Sequence, residues 1–301
     1  MARAEVWITV RGGAKLAGVD PARIMNLDVT DSAAVARAVA LVRPDGVAHL
    51  AAYVDVQGSV ADPLKAWRTN LFGTLYLLEA LRKEGLRPRF LLASTAQVYG
   101  PPLVVGDGAF SENRVPRPVS PYAASKLAAE QAALVYFRQY GIESVVVRIF
   151  NVVGPGQPAT SVCSALALRV AAIAAGVAKP PLQAGNLDSI RDFIPVEDAV
   201  QGLVAALESG RPGESYNLCT GRGTSVREVL EGLFAVAGIR IPVETDSKLL
   251  RAADPGRVVG DPEKLARDTG FRAKGDVSSA LAELYLECLS MVQAGGSGQG
   301  L

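Results

Sequence analysis

Tyr122 and Lys126 stand four residues apart in the stretch SPYAASKLAAE. If that stretch is helical, the two side chains share one face. A phenol alone titrates at about 10 and is a poor proton donor or acceptor at neutral pH; a neighbouring ammonium favours its ionised form and lowers that value. The same ammonium can hold the hydroxyls of a ribose. A Tyr-x-x-x-Lys pair also occurs as an ordinary surface pair, so its meaning depends on what surrounds it. The apolar run FLLAST ends at Thr95, whose hydroxyl either donates to a bound carbonyl or serves only as a turn hydroxyl. In the first case Thr95 positions the carbonyl while Tyr122 gives or takes the proton.

Such residues must be presented by strand ends and helix starts, and the chain alternates short apolar runs with longer helical patterns. EVWITV reads as a strand, DSAAVARAVALVRPD as a helix stopped by Pro44, GVAHLAA as a buried strand running into a loop, and RFLLAST as another strand. Residues 63–84 read as one long helix, with Trp67, Leu71, Leu75, Leu78 and Leu81 at spacings of three or four. Residues 121–139 read as a further helix and ESVVVRIF as a strand. This is the βα alternation of a doubly wound parallel sheet, in which ligands gather at the carboxyl ends of the strands. After FNVVGPG the pattern changes. SVCSALALRVAAIAAG and VEDAVQGLVAALESG read as helices, ESYNLCTG as a short strand, and SVREVLEGLFAVAG carries a capping box from Ser225 to Glu228. The predicted division is a main domain over residues 1–151, to which 192–200 return, a smaller mixed α/β domain over 152–191 and 201–292, and a disordered tail over 293–301.

Composition narrows the function classes. With 301 residues and 49 % hydrophobic side chains the chain can bury a substantial core. Thirty-one basic residues face thirty acidic ones, for a formal charge of +1, so bulk electrostatics favour neither nucleic acid nor an anionic membrane. Cys163, Cys219 and Cys288 lie far apart, with no metal spacing and no disulfide framework, which fits a reducing cytoplasm. A single histidine, His49, excludes a histidine-based metal cluster. Residues 162–178 are the nearest approach to a membrane span, and Arg169 interrupts them.

LDVTD (27–31), HLAA (49–52), NLFGT (70–74), STAQVYG (94–100), SPYAASK (120–126), RIFNVVGPGQ (148–157), GNLDSIRDFIPVEDAV (185–200), YNLCTG (216–221) and DPEKLARDTGF (261–271) jointly resemble the extended short-chain dehydrogenases/reductases of the sugar-nucleotide epimerase/dehydratase type. The resemblance covers nearly the whole chain after residue 24, and the GNL–RDF segment and GPGQ point to the GDP-deoxysugar branch. It implies a Rossmann-like dinucleotide-binding domain followed by a substrate domain. It gives Thr95, Tyr122 and Lys126 the catalytic roles, with Tyr122 and Lys126 also touching the cofactor. Asp28 and Val29 correspond to the pair beside the adenine. His49, Leu50, Ala51 and Ala52 correspond to the strand end against the cofactor diphosphate and ribose, His49 being read as structural. Asn70 matches the helix residue that supports the catalytic loop, and Phe150 borders the nicotinamide. Thr95, Asn151, Arg191 and Arg251 match positions that hold the sugar nucleotide; a guanidinium fork suits the two phosphates of GDP.

Dehydratases of this type usually place an acidic pair directly after the catalytic hydroxyl, where this chain has Ala96 and Gln97. The expected reaction is therefore NAD(P)H-dependent reduction of a GDP-4-keto-6-deoxyhexose at C4. Two alternatives stay open: a sugar-nucleotide 4-epimerase that never releases its cofactor, and a non-catalytic sugar-nucleotide-binding protein. A basic residue at the end of the family's second strand suits a ribose 2′-phosphate, so Arg11 favours NADP(H) over NAD(H). A homodimer paired through helices 63–84 and 121–139 is expected, in the cytoplasm, without nucleic acid, membrane or metal as partner. EVWITVR resembles the family's second strand, and the first strand, the Gly-x-x-Gly-x-x-Gly turn and the first helix are missing from the sequence as written. Either the written chain starts downstream of its natural beginning, or EVWITV takes the central slot with Arg11, Gly12 and Gly13 as a crude phosphate turn. Loss of a central strand would leave backbone groups of its neighbours unpaired.

Overall fold

Short β-branched runs bounded by Asp, Gly and Pro form strands here, and the longer amphipathic stretches between them form helices. The computed structural model describes residues 5–12, 18–102, 107–249 and 256–295. The first elements are β1 (Ile8–Val10), β2 (Ile24–Asn26), α1 (Ser32–Val42), β3 (Gly46–His49), α2 (Val56–Ala61), α3 (Pro63–Ala66), α4 (Gly73–Lys83), β4 (Arg89–Thr95), α5 (Pro121–Tyr140) and β5 (Glu143–Ile149). There follow β6 (Asn151–Val153), α6 (Val162–Ala174), β7 (Leu182–Ala184), β8 (Ile190–Arg191), β9 (Phe193–Pro195), α7 (Val196–Ser209), β10 (Ser215–Leu218) and β11 (Thr224–Ser225). The chain closes with α8 (Val226–Ala237), β12 (Val243–Thr245), β13 (Arg257–Val258), α9 (Glu263–Thr269) and α10 (Val277–Gly295). Residues 296–301, the end of the expected tail, lie outside the described residues, as do Gly13 and Arg251.

The chain divides into two compact units. The first comprises Met1–Ser94, Pro118–Val147 and Gly210–Ser215. Its core joins Val35 and Val39 of α1, Leu78 and Leu81 of α4, Phe90 and Leu92 of β4, and Ala129, Ala133 and Leu134 of α5. β3 and β4 run parallel with His49 opposite Leu92, and the larger sheet has the order β10-β5-β4-β3. β1 pairs in parallel with β2, Ile8 opposite Ile24, in a separate two-stranded sheet. EVWITV therefore does not occupy a central slot beside β3 among the described residues. Gly12, at φ 80°, donates its N–H to Asn26 Oδ1 at 3.0 Å just beyond that pair.

The long helix expected over residues 63–84 is interrupted. Between α3 and α4 the backbone makes a π-helical turn, Trp67–Phe72, in which Gly73 N–H reaches Arg68 O. A local competitor sits at the same place: the Thr74 hydroxyl donates to Asn70 O at 2.7 Å. Apolar periodicity alone does not reveal such a turn, because one extra residue barely disturbs the pattern.

The second unit comprises Thr95–Arg117, Arg148–Ser209 and Tyr216–Leu301. Its core is built from α6 (Cys163, Leu166, Val170), α8 (Val229, Leu230, Leu233) and α10 (Leu281, Leu284, Tyr285) with Phe193 of β9. β8 pairs antiparallel with β11 and parallel with β13, β9 pairs with β6, and β7 with β12, so the sheets here are small and mixed. The expected capping box is present: Ser225 Oγ accepts from Glu228 N–H at 3.1 Å while Ser225 N–H donates to the Glu228 carboxylate at 2.7 Å. Among the described residues no helix is long and apolar enough to cross a membrane, and no group of His, Cys, Asp and Glu could hold a metal ion.

Candidate active site

The start of α5 carries the residues singled out first. Ser120 is its N-cap, accepting from Ala123 N–H at 3.2 Å, and Pro121 occupies the first helical position, where a missing N–H costs nothing. The helix ends at Gly141, left-handed at φ 72°. Tyr122, Lys126 and Glu130 follow at intervals of four and are all buried, Lys126 at 3 % exposure and Glu130 at 0 %. The Ser94 hydroxyl, at the end of β4, donates to the Glu130 carboxylate. Burial lowers the Lys126 ammonium to about 8, and the charge of Glu130 opposes that fall. Among the described residues Lys126 makes no hydrogen bond and no ion pair.

Around this stripe the first unit assembles a polar network. His49, buried at the end of β3, has Nε2 3.1 Å from Thr74 Oγ1. Thr74 spends its one proton on Asn70 O, so His49 donates from Nε2. Burial first, and the Lys126 charge second, push His49 down to about 3, so it stays neutral at physiological pH, in keeping with a structural histidine. Asn70, within the π turn, accepts from Tyr53 N–H at 2.7 Å and donates to Tyr53 O at 3.1 Å and Ser125 Oγ at 2.9 Å. Ser125 Oγ donates in turn to Tyr122 O at 2.8 Å. Asn70 thus fastens the segment at Tyr53 that follows β3 and reaches the Tyr122 helix through Ser125.

The other first-unit residues are more open. Asp28, exposed beyond β2, accepts from Thr30 N–H at 2.9 Å and the Thr30 hydroxyl at 2.7 Å; those bonds, then the charge of Arg11, hold its carboxyl below the usual value. Val29 lies against Gly73, where an added Cβ would fall 2.9 Å from Val29 Cγ2. Arg11, Leu50 and Ala51 are exposed and Ala52 half-buried.

The second unit holds the remaining candidates. Thr95 is buried, and its Oγ1 accepts from Gln97 N–H at 3.2 Å, capping the turn Ala96–Tyr99. Phe150 is buried against Gly260, where a Cβ would fall 2.6 Å from the ring. Asn151 donates from backbone N at 3.1 Å and side-chain Nδ2 at 3.0 Å to Asp192 O. Arg191 is half-buried with Nη1 on the carbonyls of Ile190 and Gly256, each at 2.8 Å.

Sequence reasoning missed Asp192, the neighbour of Arg191. Its buried carboxylate accepts from Thr220 N–H (2.9 Å), Thr220 hydroxyl (2.7 Å), Gly221 N–H (2.9 Å) and Gly260 N–H (3.2 Å), tying three segments together. Glu130 was also missed, although its place four residues beyond Lys126 was a legible signal.

Comparison with known proteins shows the family. A GDP-6-deoxy-D-mannose reductase of Pseudomonas aeruginosa is 34 % identical over 252 residues, covering 83 % of this chain and 82 % of that protein. A UDP-glucose 4-epimerase of Azospirillum brasilense is 36 % identical over 278 residues, 85 % of this chain and 77 % of the relative. Among solved structures, RMD from Pseudomonas aeruginosa complexed with NADPH superposes with a TM-score of 0.83 at 31 % identity, covering 89 % of this chain and 88 % of the other. The Thermus thermophilus UDP-glucose 4-epimerase complexed with NAD gives 0.77 at 33 % identity, covering 88 % and 84 %. Residues 14–284 match the family described as GDP-mannose 4,6 dehydratase. With nine-tenths of its length inside that match, the chain belongs to the GDP-mannose 4,6-dehydratase family, whose relatives include sugar-nucleotide reductases, epimerases and dehydratases.

Proposed function

We propose that the protein reduces the 4-keto group of a GDP-4-keto-6-deoxyhexose to a secondary alcohol, as the name of the Pseudomonas relative describes for that enzyme. The observation that carries the reading is the buried stripe Tyr122–Lys126. The ammonium of Lys126, a residue at 3 % exposure with no hydrogen-bond partner among the described residues, has three donors to satisfy. The hydroxyls of a nicotinamide ribose fit that need, so the residues present suit the cofactor. When bound, NAD(P)H supplies the hydride that reaches C4.

Everything else in the step belongs to the chain. Thr95 donates a hydrogen bond to the ketone oxygen, and Tyr122 delivers its proton to that oxygen as it becomes an alkoxide. Lys126 stabilises the phenolate left behind, which regains its proton from solvent, so one hydride and one proton are consumed per alcohol formed. Asn70 and the residues His49 to Ala52 hold the loop on the cofactor side, with Asp28 and Val29 at the adenine and Phe150 at the nicotinamide. Asn151, Arg191 and Arg251 hold the sugar nucleotide. Ala96 and Gln97, which follow Thr95, have no ionisable group, and removal of water from C5 and C6 needs one. Arg11, exposed at the end of β1, favours NADPH over NADH. A cytoplasmic homodimer goes with this reading; Leu64, Phe72 and Val135 leave large apolar side chains exposed on the helices expected to pair.

The test is oxidation of NADPH by the keto-sugar, with the product identified by NMR as the 4-alcohol. Full NADPH binding without turnover of the keto-sugar would overturn the reading. Interconversion of two 4-epimers by a tightly retained cofactor, without added reductant, would replace it with the epimerase.

A further inference from the structure

A helix leaves its first N–H groups without partners inside the helix, and Tyr122 sits in that first turn of α5. Ser120 serves Ala123 N–H, and Pro121 has none to serve. The Tyr122 N–H instead donates to Ser59 Oγ at 3.2 Å, a residue of α2 sixty-three positions away in the chain. Ser59 is completely buried, and its own proton goes to Val56 O at 2.6 Å, which turns its lone pairs towards Tyr122. α2 is itself fixed at its start by Asp55, which accepts from Gly58 N–H at 2.9 Å. On the other side, Tyr122 O accepts from Ser125 Oγ, which Asn70 holds. Both backbone polar atoms of Tyr122 are therefore gripped by side chains, and one grip comes from a different helix.

We propose that Ser59 is a positioning residue for proton transfer: as a cap supplied from α2, it fixes the backbone from which the Tyr122 phenol projects. The proposal rests on the reading of Tyr122 as the proton donor. Its basis is the division of the helix start between a local cap and a cap from a separate helix. Ser120 caps Ala123 N–H from within the local sequence, so a cap brought from α2 to the residue that delivers the proton controls where that residue points. Proton transfer is sensitive to such placement, since a displacement of about 1 Å can cost on the order of a hundredfold in rate.

The experiment compares Ser59→Cys, Ser59→Ala, Ser59→Thr, Ser120→Ala and Tyr122→Phe in the full chain. Readouts are kcat, KM for the keto-sugar, the pH profile of kcat, NADPH binding and thermal midpoint. Ser59→Cys keeps the packing and removes the strong acceptor, so it tests the bond even if Ser59→Ala folds poorly. We expect kcat to fall roughly ten- to a hundredfold in both, KM to stay within about twofold, and the kcat profile to shift along the pH axis. Ser59→Thr keeps the hydroxyl and restores most of kcat. Ser120→Ala lowers the thermal midpoint while leaving the kcat profile in place. A wild-type rate and profile in Ser59→Cys, or the same profile shift in Ser120→Ala, overturns the proposal. If Tyr122→Phe turns over normally, the reading of the site itself fails; if Tyr122→Phe is dead and Ser59→Cys is unchanged, only the positioning role fails.

Discussion

Lys126 and Glu130 stand one turn apart on the buried face of α5, and the carboxylate sustains a positive charge that burial works to remove. Removing an ammonium from water is costly, and the structure supplies Lys126 with no hydrogen-bond partner among its described residues. The arrangement is poor for stability and well suited to receiving a polar ligand.

That tension has a measurable sign. The Lys126 value falls from 10.5 to about 8 on folding, so between these values the unfolded chain binds more protons and stability rises with pH. Below about 8 the charged lysine costs the folded state its full penalty, up to about 3 kcal/mol. Lys126→Met should therefore raise the thermal midpoint of the ligand-free protein at pH 7, by less if Glu130 suffers from losing its neighbour, and abolish turnover. The gain should shrink as the pH is taken from 8 towards 10. Calorimetric scans across that range check it, and a destabilised variant at pH 7 would refute it.

His49 gives the same sign in a lower pH window. Its value drops from 6.5 to about 3, so its stabilising effect is complete above 6.5 and is lost as pH falls towards 3. As the sole histidine, it provides one unambiguous imidazole NMR signal in untagged protein. That signal should stay flat from about pH 8 down to the onset of acid unfolding. His49→Gln, which keeps a donor for Thr74, should flatten the acid limb of the stability curve. A mid-point near the usual histidine value in folded protein would contradict both.

Asn70 makes three hydrogen bonds to groups that water does not reach easily. Asn70→Ala should lower the unfolding free energy by about 2–3 kcal/mol, the cost of stranding buried donors and acceptors. Asn70→Asp should fall between, because it keeps the acceptor for Tyr53 N–H and loses the donor to Tyr53 O and Ser125. Denaturant midpoints at constant slope decide the order.

Asp192 places four donors on one carboxylate. In Asp192→Asn one pair of these donors must face an NH2 group, so the variant should lose roughly 2–4 kcal/mol. Asp192 O also receives both donors of Asn151. Affinity for GDP measured by calorimetry should therefore fall more than affinity for NADPH. Equal losses for the two ligands would show that Asp192 acts only on global stability.

The sequence by itself determined the features carried by local pattern. The βα order, the helix holding Tyr122 and Lys126 on one face, Thr95 at a strand end and the Ser225–Glu228 cap all depend on residues within a few positions of one another. So did the family, since its motifs are contiguous. Only the tertiary structure decided the π turn at Trp67–Phe72, the pairing of β1 with β2, the Asp192 junction and the Ser59 cap on Tyr122. Ser59 and Tyr122 are 63 residues apart, Asn70 and Ser125 55, and Asp192 and Gly260 68. Whether a titratable group is charged depends on what surrounds it in space, and periodicity along a chain carries no record of neighbours at such distances.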